Sequence, residues 1–247
     1  MRSFLYTPWG ILWHRLLVKC NQSKYPLGYL PAGVPGCCPR RCAGGEGLPV
    51  TLRGMTATLC LAQEPEADAL LSSSPFALLV GMVLDQQILL EAAFAGPKKI
   101  ADRIGGLDVY KVADFDPIEF ARICSEKPAI HRFPGSMAKR IQDLAQIVVD
   151  RYGGDAAALW TAGDPDGAEL LKRIKALPGF GEQKAQIFLG LLGKQYGVSV
   201  PGWREAAGQF GVAGTYISVA DIVDAQTLGK VRDYKKKLKA AAKAAKA

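Results

Sequence analysis

Apolar positions recur from residue 63 onward with the spacing of one helix face after another. Phe76, Leu79, Val80, Val83, Leu84 and Ile88 follow an i, i+3, i+4, i+7 pattern, which predicts a helix over Pro75–Phe94. Met137, Ile141, Leu144, Ile147 and Val148 predict another over Ser136–Tyr152, stopped by Gly153-Gly154. Asp116-Pro117 opens a shorter helix reaching about Ser125, because Asp caps a first turn and Pro suits its first position. Leu170, Leu171, Ile174 and Leu177 mark a helix over Asp166–Leu177. Ala185, Ile187, Phe188, Leu191 and Leu192 mark the next, over Glu182–Leu192. Short helices are expected over Lys98–Ile104, Ala156–Trp160 and Trp203–Gln209, and a lysine-rich one over Thr227–Lys246. No β-hairpin signal and no alternation of strand and helix patterns interrupts the series, so the expected class is all-α.

Residues 1–54 read differently. They are rich in Pro, Gly, Cys and Arg, carry little periodicity, and hold seven basic residues against the single acid Glu46. They are expected to be a disordered extension, or upstream sequence ahead of a true start at Met55. The sharper alternative is a zinc site from Cys20, Cys37, Cys38 and Cys42, but these lack paired C-x-x-C elements. The organisation expected is an extension over 1–54, a helical domain over 55–230 and a basic tail over 231–247. The net charge of +8 changes the picture little, since most of the surplus lies in the extension and part of the rest in the tail. The body holds only Cys60 and Cys124, far apart, which suits reduced thiols rather than a disulfide framework. No run of about 18 apolar residues suggests a membrane span. Trp9–Val18 is broken by His14 and Arg15 and makes a poor signal peptide, so the expected location is cytoplasmic.

The segment with chemistry is Leu177-Pro178-Gly179-Phe180-Gly181, a tight turn between two amphipathic helices. Gly179 and Gly181 remove side chains where backbone must approach something closely. Their amides adjoin the free N-terminus of the following helix, which makes a ready anion site. A DNA phosphate fits there without base contacts, so the element positions rather than specifies. Leu84-Asp85-Gln86-Gln87 places two amides on an apolar helix, where polar side chains need partners.

Together these segments resemble the HhH-GPD superfamily of DNA glycosylases, which includes endonuclease III and the adenine and 3-methyladenine glycosylases. The hairpin is similar to the family's helix-hairpin-helix, and Leu84-Asp85-Gln86-Gln87 to its early-helix Gln-Gln motif. Phe94–Gly105 is similar to the helix after that motif, and Phe133–Ile141 to its G-x-x-x-x-K-A-x-x-I stretch. Tyr152-Gly153-Gly154 follows in family order. The resemblance implies a helical repair fold that binds damaged double-stranded DNA. It implies hairpin contacts from Leu177, Gly179, Phe180, Gly181, Gln183 and Lys184, and contacts near the flipped base from Gln86 and Gln87. It also implies a monovalent cation at the hairpin carbonyls and a nucleoid-associated, monomeric protein.

The catalytic positions depart from the family. Its lyase lysine lies two residues beyond the second hairpin glycine, where this chain has Gln183, and glutamine forms no Schiff base. Lys184 is next to it but rotated by about 100° around the helix, which suits a phosphate contact or a solvated charge. The family's aspartate position falls at Pro201, leaving Glu205 and Asp85 as the candidate carboxylates. The family's optional iron–sulfur cluster needs four C-terminal cysteines and none follows Cys124, so no cofactor is expected. His131 is the body's lone histidine, which excludes a histidine metal site or a Ser-His-Asp triad. It either approaches DNA beside Arg132 or packs. Trp203 and Tyr216 are candidates to stack on a base, or core aromatics. The expected function is a monofunctional DNA glycosylase, with Glu205 or Asp85 as its carboxylate. The alternative is a DNA-binding protein that kept the scaffold and lost the chemistry.

Overall fold

The computed structural model describes residues 58–244. The expectations for residues 1–54, including the start at Met55 and the cysteine cluster, lie outside the described residues. The described chain is helical throughout, with eleven α-helices and two short 3-10 turns.

Helices α1 (Pro65–Ser73), α2 (Pro75–Leu84) and α3 (Leu90–Ile104) pack on one another. Every residue of α2 from Phe76 to Leu84 is buried. Helices α4 (Val109–Asp114) and α5 (Pro117–Ser125) lie against the long α6 (Pro134–Tyr152). The expected cap of α5 is present: the Asp116 carboxylate accepts from the Glu119 N–H at 2.8 Å. Helix α6 stops where Gly153 adopts a left-handed conformation, as its Gly-Gly sequence predicts.

A short α7 (Ala158–Thr161) leads to the hairpin pair α8 (Gly167–Lys175) and α9 (Glu182–Gln195). Helix α10 (Trp203–Ala207) packs on both, and α11 (Ala225–Ala244) ends the described chain. The segment between α10 and α11 is pinned to α9 by Lys194, whose ammonium meets the buried Asp221 carboxylate at 2.6 Å. Among the described residues no single helix is long and apolar enough to cross a membrane.

Two expectations need correction. The helix expected over Pro75–Phe94 is two helices, broken at Asp85–Leu89, and the second of them runs on through the short helix expected separately over Lys98–Ile104. The break is held by residues distant in sequence, His131 on the Gln86 carbonyl and Arg140 on its side-chain oxygen. The Gln86 N–H bonds the Leu84 carbonyl at 2.6 Å instead of continuing the helix ladder, and Gln87 takes a left-handed φ of 54°. The basic tail expected from residue 231 is no separate segment either. It continues α11, whose Leu228 and Val231 are buried and whose Arg232 pairs with Glu91 of α3.

Candidate nucleic-acid interface

The hairpin is a turn anchored from inside. Phe180 donates its N–H to the Leu177 carbonyl at 3.2 Å, with Pro178 and Gly179 at the two central positions. Gly179 has φ of 82°, which a side chain would resist. Leu177 and Phe180 are only 4% and 6% exposed, and the Phe180 ring packs 5.7 Å from that of Phe188 in α9. These two residues therefore face the core and anchor the turn from within.

Gly179, Gly181 and Gln183 are exposed. Gly181 precedes α9 and no side chain caps it. The first intrahelical bond runs from the Ala185 N–H to the Gly181 carbonyl, so the amides of Glu182, Gln183 and Lys184 have no helical acceptor. They point outward at the positive end of a 14-residue helix, which suits a phosphate.

The Gln-Gln turn lies directly against this hairpin. A Cβ on Gly179 would stand 3.5 Å from Gln86 Nε2 and 3.9 Å from the Arg140 side chain. Gln86 is tightly held: its Nε2 donates to the Val83 carbonyl at 2.6 Å and its Oε1 accepts from Arg140 Nη1 at 2.9 Å. The Gln86 carbonyl accepts from His131 Nε2 at 2.7 Å, while His131 Nδ1 accepts from the Phe133 N–H at 3.0 Å. His131, 5% exposed, therefore packs and braces the turn. Gln86 is a bracing residue as well. The groups the turn leaves free are Gln87 and Leu89, the latter 70% exposed.

The break between α2 and α3 also brings Asp85 near Lys184, whose ammonium reaches the carbonyl of Val83, two residues before it. Asp85 ends α2 half-buried. Burial pushes its carboxyl above the usual range, and the charges of Lys235 and Lys184 pull it back. Lys184 turns inward from α9, where its ammonium meets the Val83 carbonyl at 3.3 Å and sits 5.6 Å over the Phe180 ring. Burial pushes this lysine down to about 8, opposed by Asp85 and assisted by Arg140. Lys184 is thus not the solvated charge or phosphate contact its position suggested. The rotation from Gln183 is real, and it sends Gln183 to solvent and Lys184 to the cluster.

Glu205 is not brought to this cluster. It is exposed on α10 and makes no ion pair or side-chain hydrogen bond among the described residues. Its neighbour Trp203 is buried against Gly193, near the end of α9 remote from the hairpin. Pro201, at the family's aspartate position, serves the fold: its carbonyl accepts from the Gly167 N–H at 2.7 Å. Trp203 is a core aromatic, and exposed Tyr216 lies under the Lys230 ammonium at 4.3 Å. Lys139 of the family-like stretch pairs with Asp143 on the surface, and its neighbour Arg140 reaches the site. Arg140 carried no signal in the sequence, since only the fold shows which of two adjacent cations points inward.

Beside Asp85, on the side of α11, opens a cavity of about 330 Å³ walled by the Asp85–Leu90 turn and by α11. No cluster of His, Cys, Asp and Glu able to hold a metal occurs among the described residues.

The sequence profile of the family described as HhH-GPD superfamily base excision DNA repair protein matches residues 80–246. No curated protein and no solved structure gives a significant match. The profile begins within α2 and runs through the Gln-Gln turn, the hairpin and α11, so it spans every element that shapes the interface. The chain belongs to the HhH-GPD superfamily and is a DNA-binding protein of base excision repair.

Proposed function

We propose that this protein is a monofunctional DNA N-glycosylase that removes a damaged base from double-stranded DNA, with Asp85 as its working carboxylate. The observation that carries the reading is the position of Asp85. It lines a cavity able to receive an extruded nucleotide, and Lys184 of the hairpin helix reaches the carbonyl of Val83, two residues before it. Breaking the C1′–N bond builds positive charge on the sugar, and an ionised carboxylate beside it stabilises that charge. Water adds to C1′ and the base leaves with a proton. Lys184 acts as a positioning residue: its positive charge favours ionised Asp85 against burial.

The hairpin amides hold a phosphate of the strand, and Gln87 and Leu89 lie where a side chain enters the base stack left by the extruded nucleotide. The carbonyls of the Leu177–Gly181 turn are neutral oxygen donors of the kind a monovalent cation takes. Such an ion would lend the turn positive charge toward a phosphate.

The test incubates the full chain with duplexes that each carry one damaged base, followed by alkali. Strand cleavage that requires the alkali step, and disappears in Asp85→Asn, is the expected result. Binding with no cleavage on any lesion contradicts it. That outcome would favour a non-catalytic DNA-binding protein, a reading supported by the structural use of Pro201 where the family carries its aspartate.

A further inference from the structure

Helix α11 is asymmetric in charge. It carries seven Lys and Arg residues and one acid, Asp233. Leu228, Arg232, Lys235 and Lys239 recur three or four residues apart, so they share one face. That face begins apolar, where Leu228 and Val231 are buried, and becomes basic toward the C-terminus. It forms one wall of the cavity beside Asp85, with Lys235, Lys236 and Lys239 around the opening. Arg232 is taken by Glu91. The three lysines form no ion pair among the described residues, although each is within reach of the same cavity. A run of solvated charge needs no such placement. Cations gathered around an apolar pocket with one carboxylate in its wall complement a ligand that is anionic at its edge and apolar within.

We propose that α11 is the second wall of the substrate pocket, and that Lys235, Lys236 and Lys239 grip the phosphates flanking the extruded nucleotide. The sugar then lies toward Asp85, and the base or the space it vacates lies against Ile88, Leu90 and Val231. Asp85 lines this cavity together with Lys235, and Lys184 of the hairpin helix reaches the carbonyl of Val83, two residues before Asp85. A strand whose phosphate rests on the hairpin amides therefore passes Asp85 on its way to the α11 lysines. On this arrangement the C-terminal helix selects extruded nucleotides and does more than raise general affinity for DNA. This inference rests on the glycosylase reading for the identity of the occupant, but its test reads binding and not bond cleavage.

The experiment compares full-length protein with a variant carrying Lys235→Glu, Lys236→Glu and Lys239→Glu. The probes are two labelled duplexes identical except that one contains a tetrahydrofuran abasic analogue. All three lysines are exposed, so charge reversal leaves the core intact, and the corresponding triple Gln variant controls for the reversal itself. The wild type is expected to prefer the abasic duplex. The Glu variant is expected to lose at least about tenfold more affinity for that duplex than for the undamaged one, with the Gln variant between. Equal losses on both duplexes would make α11 a general electrostatic tail and overturn the inference. So would unchanged binding, or a wild type with no abasic preference. Absence of base excision by the wild type overturns the proposed function alone, because the binding preference is measured separately.

Discussion

Arg140 and Gln86, 54 residues apart, are joined by a 2.9 Å hydrogen bond from the guanidinium to the amide oxygen, immediately beneath Gly179. Through this contact α6 fixes the Gln-Gln turn, and the Gln-Gln turn backs the hairpin. Arg140→Met removes a charged donor and leaves a half-buried amide oxygen without its partner. The expected cost is about 1 to 2 kcal/mol of stability, read by urea denaturation, together with weaker DNA binding. Unchanged stability would show that the turn holds without α6.

The two hairpin glycines are expected to respond differently. Gly179 has φ of 82°, so Gly179→Ala strains the backbone by about 1 to 2 kcal/mol. Gly181 has φ of −81° and nothing within 4 Å of an added Cβ, so Gly181→Ala is tolerated in stability. Gly179→Asp adds a negative charge beside the bound phosphate and weakens binding to all DNA sequences alike. Sequence-dependent losses in a binding titration would argue that the hairpin reads bases.

The Asp85–Lys184 pair sets the expected pH profile of excision. Burial raises the Asp85 carboxyl, so activity falls on acidification at a pH above the usual carboxylate range. Lys184→Met removes one of the charges that favour the ionised carboxylate, so its acid limb moves to higher pH. Stability follows the lysine itself. Its value is about 8 folded against 10.5 in the unfolded chain, so between these pH values the unfolded state binds the extra proton. Stability therefore rises with pH across that window in the wild type, and the rise is smaller in Lys184→Met. Melting temperatures measured at several pH values check both.

The same lysine provides a test of mechanism. Its ammonium is engaged by the Val83 carbonyl, and Gln183 occupies the position of the family's Schiff-base lysine. Borohydride is expected to trap no covalent complex with damaged DNA. A trapped adduct lost in Lys184→Met would make Lys184 a nucleophile and the enzyme bifunctional.

Much of this architecture was legible in local sequence. The hairpin announces itself through Pro178, Gly179 and Gly181, and α5 and α6 through Asp116 and Gly153, because turns and caps depend on neighbours in the chain. The break at Asp85–Leu89 was not legible, since Ile88 continues the apolar period and the competing partners, His131 and Arg140, come from elsewhere in the fold. Lys184 shows the same limit. Helix geometry separates its face from that of Gln183, but only packing decides which face is inside. Glu205 lies near the family's aspartate position in sequence, while Asp85 lies near the site in space.

Single-turnover excision reads whether Asp85 is the carboxylate beside the reacting sugar. On any lesion the wild type processes, Asp85→Asn should be slower by about a hundredfold or more while still binding the duplex, and Glu205→Gln should match the wild type. Full activity in Asp85→Asn, or loss of activity in Glu205→Gln, would show that Asp85 is not that carboxylate.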